Sequence, residues 1–145
     1  MSPGTDGPFE SVAVEVVVDG GGSSGRGRHT MLRLAWQHRD PLAVVLLLTA
    51  QPDHPALPRG RWVVLRDFLR YGLETATGDG DVRIRPDSLR DRVWLELARG
   101  VRPCCVSIPR ATVSDFLDAT ERIVPAGEER PEDAIDALIE RLLQA

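Results

Sequence analysis

DPLAVVLLLTA (Asp40 to Ala50) and GRWVVLRDFLRYGLETATGDGDVRIRP (Gly60 to Pro86) together decide the fold. Asp40-Pro41 is a turn, because proline fixes φ and offers no backbone donor. Leu42 to Thr49 is an apolar run rich in Val and Leu, which suits a central strand covered on both faces. Gln51 to Arg59 carries Pro52, Pro55 and Pro58 and reads as an exposed loop. Gly60 to Val64 returns to strand. Leu65, Phe68 and Leu69 then fall at i, i+3 and i+4, so the chain turns helical. Gly72 is placed for the left-handed position that ends a helix. TGDGD at 77–81 is turn chemistry, with an Asx hydrogen bond as the plain expectation for its aspartates. Val82 and Ile84 point one way, Asp81, Arg83 and Arg85 the other, and Pro86 closes that strand.

Working outward, residues 1–10 read as a loose polar tail, and 11–145 as a single domain. Val12, Val14, Val16 and Val18 alternate with Ala13, Glu15, Val17 and Asp19, a strand period. Asp19 to Arg28, DGGGSSGRGR, reads as a mobile hairpin loop. His29 to Trp36 resumes alternation, with Leu32, Leu34 and Trp36 on one face. Val93, Leu95 and Leu97 alternate with Trp94, Glu96 and Ala98. Arg99-Gly100 makes a turn, and Cys104, Val106 and Ile108 share the inward face of the last strand. Pro109 opens a helix whose stripe is Val113, Phe116, Leu117 and Thr120. Pro125-Ala126-Gly127 breaks it. Pro131 opens another, with Ile135, Leu138, Ile139 and Leu142 on one face. The expected architecture is α+β: a mostly antiparallel seven-stranded sheet, a short mid-chain helix and two C-terminal helices. Each half is a strand group capped by a helix, without a repeat in sequence.

Composition narrows the function. A chain of 145 residues buries about 68–70% of its unfolded surface, enough for one core. The run Leu42 to Leu48 is far short of the roughly 20 residues that span a bilayer, and the N-terminus lacks a signal-peptide pattern, so a cytoplasmic location is expected. All 18 basic residues are arginine, yet the net charge is −4, which weighs against nucleic acid. Cys104 and Cys105 lie side by side without metal-ligand spacing and suit opposite faces of a strand. No nucleophile elbow, zinc-protease or phosphate-loop motif is present, and His29, His38 and His54 are scattered. No enzyme activity, metal, cofactor or small-molecule substrate is expected. The alternative is a single-strand nucleic-acid face built from Arg59, Arg61, Trp62, Arg83, Arg85, Arg90, Arg92 and Trp94. Sheet edges make homo-oligomerisation a reasonable expectation.

The order DPLAV at 40–44, W-V-x-L-R-D-F-L-x-x-G-L from Trp62 to Leu73, and T-G-D-G-D-V-R-I-x-P at 77–86 resembles the SsgA-like family of actinomycete sporulation and cell-division regulators. IPRATVSDFLDAT, VPAGEE and the final amphipathic stripe fall in the family's order too. The resemblance runs from about Val12 to the C-terminus. It implies a Whirly-like, bell-shaped and trimeric fold without enzymatic activity. It also implies work at sporulation septa: recruiting the tubulin-like protein FtsZ, or meeting a sister SsgA-like protein, and affecting septal and spore-wall peptidoglycan. Leu42 stands where the family commonly has an aromatic, and the 51–61 loop is longer and richer in proline. Trp62, Arg66 and Asp67 are the candidates for a partner-binding or scaffold-to-loop junction.

Overall fold

The computed structural model describes residues 10–21, 28–49, 60–99, 102–129, 139–140 and 142–143. Residues 1–9 of the expected tail at 1–10, the proline loop at 51–59 and the opening of the second C-terminal helix lie outside the described residues; Ile139, Glu140, Leu142 and Leu143 are helical. The elements run β1 (Ser11–Gly21), β2 (Arg28–Gln37), β3 (Asp40–Thr49), β4 (Gly60–Leu65), α1 (Arg66–Gly72), β5 (Thr77–Asp79), β6 (Val82–Asp87), β7 (Arg92–Arg99), β8 (Arg102–Pro109) and α2 (Arg110–Ile123).

Every strand pairing is antiparallel, in the order β4-β3-β2-β1-β8-β7-β6-β5. The order divides into two sets of four, and each set leads into one helix. The expectation of a single seven-stranded sheet is therefore corrected. The extra strand is β5, hidden inside the TGDGD turn signal: Asp79 pairs with Val82, and only Gly80 and Asp81 make the turn. Gly80 has φ +60°, the left-handed value that a two-residue hairpin needs at its first central position.

The two sets meet where a loop was expected. Asp19, Gly20 and Gly21 pair with Ser107, Val106 and Cys105 of β8, while Asp19 and Gly20 still pair with β2. Glycine suits such a join, because backbones can bend and approach there without a Cβ in the way.

Inward faces of both sets build one core. Leu32, Leu34, Val44, Leu46, Val93, Leu97, Val106 and Ile108 are all fully buried within it. α1 closes it through Leu69, with Leu73 just past its end, and α2 through Val113, Phe116 and Leu117. Each such side chain contributes about 1.5–3 kcal/mol of transfer free energy. β3 lies between β2 and β4 as expected, but only one of its faces is fully covered, since Val45 and Leu47 are half-buried.

α1 starts without a side-chain cap, and Asp67 in its first turn and Arg70 in its last suit its dipole. Gly72 does not adopt the left-handed conformation expected of it; it is the last helical residue. Its role is steric. A Cβ there would lie 2.7 Å from Ile84 Cβ, so α1 can rest on β6 only with glycine at this position.

Candidate functional site

Three candidate residues cluster where β4 becomes α1, and they take different roles. Trp62 faces the core, only 8% exposed, and its indole N–H donates to the Ala98 carbonyl at 2.9 Å. That bond ties the outer strand of the first set to β7 of the second. Arg66, next on the inward side, is 1% exposed. Asp67 is exposed, with no hydrogen bond or ion pair among the described residues.

Arg66 is the hub of the interior. Its Nη2 donates to Glu129 Oε1 at 2.6 Å, with side-chain exposures of 2% and 8%. Nη1 donates to Thr120 Oγ1 of α2 at 3.4 Å, and the guanidinium lies 5.6 Å from the Trp36 ring centroid. Trp36 is fixed in turn by donating to the Pro41 carbonyl at 2.9 Å. Burial pushes the Glu129 carboxyl up. The Arg66 hydrogen bond and charge, helped by the backbone N–H groups of Glu129 and Gly127, outweigh that and hold it below the usual carboxylate range. The desolvated charge is thus matched, apart from Arg66 Nε, which is buried with no hydrogen-bond partner.

A second layer of arginines locks the helices. Arg70 of α1 donates to Asp118 at 2.9 Å and Glu121 at 2.8 Å on α2. Burial works against its charge, but these bonds to Glu121 and Asp118 raise its pKa all the same. Arg110 opens α2: its backbone N–H donates to the Asp91 carbonyl at 3.0 Å, and its side chain reaches the Leu73 carbonyl and Glu74. Arg39 pairs with Glu140 at 2.7 Å, holding the C-terminal helical residues near the β2–β3 turn.

Of the alternative nucleic-acid face, Arg83, Arg85, Arg92 and Trp94 share the outer face of the β6–β7 pair, and Trp62 does not join them. Trp62 is turned inward. Trp94 is half-buried, with Arg85 5.3 Å over its ring and its N–H on Asp87 at 3.2 Å. Arg85 also bonds Glu96, and Arg92 bonds Ser107. Arg59 lies outside the described residues. The cysteines are free thiols; burial, then the neighbouring charge, pushes both up, against the lowering influence of Arg85 on Cys105. Raised thiols are poor nucleophiles. Among the described residues, no group of three or more His, Cys, Asp or Glu could hold a metal ion, and no helix is long and apolar enough to cross a membrane. Sequence reasoning missed the Arg66 partners and the turn at 87–91, whose only local signal was an acid at each end of SLR between alternating strands.

Fold and site together define a scaffold domain, two four-stranded sets and two helices held in register by buried Arg66 and its partners. Residues 30–129 match the family described as "Streptomyces sporulation and cell division protein, SsgA", and the chain belongs to that family. It is 33% identical over 109 residues to the sporulation-specific cell division protein SsgB of Thermobifida fusca, covering 74% of this chain and 76% of that one. Against SsgB of Streptomyces coelicolor it is 31% identical over 84 residues, covering 57% and 61%. A solved structure described as "Mutations in SsgB correlate to longitudinal cell division during sporulation of Streptomyces coelicolor" superposes with a TM-score of 0.73 at 28% identity, over 84% of this chain and 94% of that one. The SsgA-like sporulation-specific cell division protein of Thermobifida fusca has a TM-score of 0.75 at 24% identity over 97% and 100%, which speaks to the fold alone.

Proposed function

We propose that this chain acts in sporulation-specific cell division as a non-enzymatic adaptor that helps localise or activate the septation machinery. The observation that carries the reading is the family match over residues 30–129, which spans β3 to β8, both helices and the Arg66–Glu129 pair. The interior polar groups support it. Arg66, Thr120, Trp36 and Trp62 are taken up in holding elements together, which suits a rigid platform for protein contacts. The protein works in the cytoplasm, concentrated at septa, and presents several copies of one surface as a homo-oligomer, a trimer by family resemblance. FtsZ or a sister SsgA-like protein is the direct partner, and septal or spore-wall peptidoglycan synthesis is the process served. Trp62 and Arg66 set the junction from inside, and exposed Asp67 presents it to the partner.

The test is deletion in a sporulating host combined with purification of the tagged protein. The reading expects defective septation and recovery of FtsZ or a sister family member. Normal spore chains with neither protein recovered would overturn it.

A further inference from the structure

An antiparallel strand with one face in the core and one in water alternates apolar with polar residues. β3 does not. Val45 and Leu47 point away from the core and are as apolar as the residues that fill it. Register extends this face across the first strand set. Val63, Val45, Ala35 and Ala13 form one row, and Arg61, Leu47, Arg33 and Glu15 the next. No described element of the chain covers it fully.

The exposed large hydrophobic residues described, Tyr71 and Leu89 apart, fall into two patches. Val17, Val63 and Leu65, 38–51% exposed, lie on this sheet face. Ile139, Leu142 and Leu143, 49–81% exposed, lie near the C-terminus. Helical residues spaced i, i+3 and i+4 share one side. Glu140, off that side, is held by Arg39 at the β2–β3 turn. The helical residues are thus anchored on their own chain while their apolar side stays uncovered.

A closed ring of identical chains needs a heterologous contact, with two different patches on every chain. This chain has two, and an apolar helix stripe laid on an apolar sheet face is a standard way for both to be buried. We infer that the patches meet across copies: Ile139, Leu142 and Leu143 of one chain cover the outer face of β1 to β4 on the next. Charge supports this occupant. β1 to β4 carry Arg28, Arg33 and Arg61 against Glu15, Asp19 and Asp40, and are neutral as a whole. The imbalance is local. Glu15 is taken by Arg33 at 3.2 Å, whereas Arg61 has no partner among the described residues. Asp19 is on β1, three strands from β4, or about 14 Å at the usual spacing. Asp40 opens β3, at the end remote from Leu47, which pairs with Arg61. Both lie beyond the screening length of about 8 Å. From Pro131 to Ala145 the chain carries Glu132, Asp133, Asp136 and Glu140 against Arg141. An acidic segment therefore meets a basic corner. The inference rests on the adaptor reading for its ring of chains, but its test reads mass rather than septation.

Light scattering across a concentration series gives the mass of the purified full chain and of Val63→Glu, Leu142→Asp and Arg61→Glu. Circular dichroism and melting check that each is folded. Wild type is expected as a ring of three, and Val63→Glu and Leu142→Asp each as folded monomers. Mixed one to one, those two should form a dimer holding one of each, because one supplies an intact helix stripe and the other an intact sheet face. Arg61→Glu should dissociate at higher concentration than wild type, and added salt should narrow the gap. A photo-cross-linker placed at Leu142 is expected to join β3 or β4 of another copy, which decides the matter if a charged variant fails to fold. A wild-type monomer, a mass change in only one of the two single variants, or a mixture without the dimer would overturn the inference. The adaptor reading survives those results as long as deletion still abolishes septal ladders.

Discussion

Gly72 and Ile84 meet so closely that a methyl group cannot be placed between them: a Cβ on Gly72 would lie 2.7 Å from Ile84 Cβ and 3.3 Å from its Cδ1. The helix that follows the first strand set is thereby seated on β6 of the second. Gly72→Ala is expected to destabilise the fold by about 1–3 kcal/mol through overpacking. In an Ile84→Ala background the penalty should shrink only in part, because the branched atoms beyond Cβ are gone while the Cβ itself, 2.7 Å away, remains. Urea unfolding of the two single variants and the double would show the coupling.

The Arg66–Glu129 pair makes a sharper demand. Arg66→Ala leaves a buried carboxylate unmatched and should cost about 3–5 kcal/mol. Replacing both residues by Met removes both charges and should cost much less. Denaturation of the three proteins at neutral pH measures the difference.

The same pair sets an acid limit. Glu129 is held below its ordinary value in the folded state, so the native state resists its protonation. Its stabilisation is complete above the unfolded value of about 4.3 and is lost as the pH falls through the lower folded value. A plot of unfolding free energy against pH should drop below about pH 4.3, and Glu129→Gln should flatten part of that drop.

Asp91 tests the strained turn. With φ at 54°, Asp91→Gly should leave stability unchanged or improve it slightly, whereas Asp91→Val should cost about 1–3 kcal/mol. Thermal melts of the pair give the order directly.

Much of the fold was legible because its signals are local. Val12 to Val18, Leu32 to Trp36 and Val93 to Leu97 show a strand period, and Val113 to Thr120 a helical one. What stayed hidden has no local period. TGDGD looks like turn throughout, so the three residues of β5 disappear into it. DGG at 19–21 looks like loop, and only β8, paired from far along the chain, makes it the join of two sheets. Gly72 sits at a helix end in either reading, and the side chain that decides its role, Ile84, lies on another strand. For the candidate site, Trp62 and Arg66 could be singled out, but not their partners: Ala98 is 36 positions away and Glu129 is 63.

The central claim is that this family member works at sporulation septa. Time-lapse imaging of a fluorescently tagged chromosomal copy beside FtsZ, in its own host through sporulation, tests it. Ladders of foci coinciding with FtsZ at future septa are the expected result. Signal over nucleoids, or an even cytoplasmic signal at every stage, would contradict it.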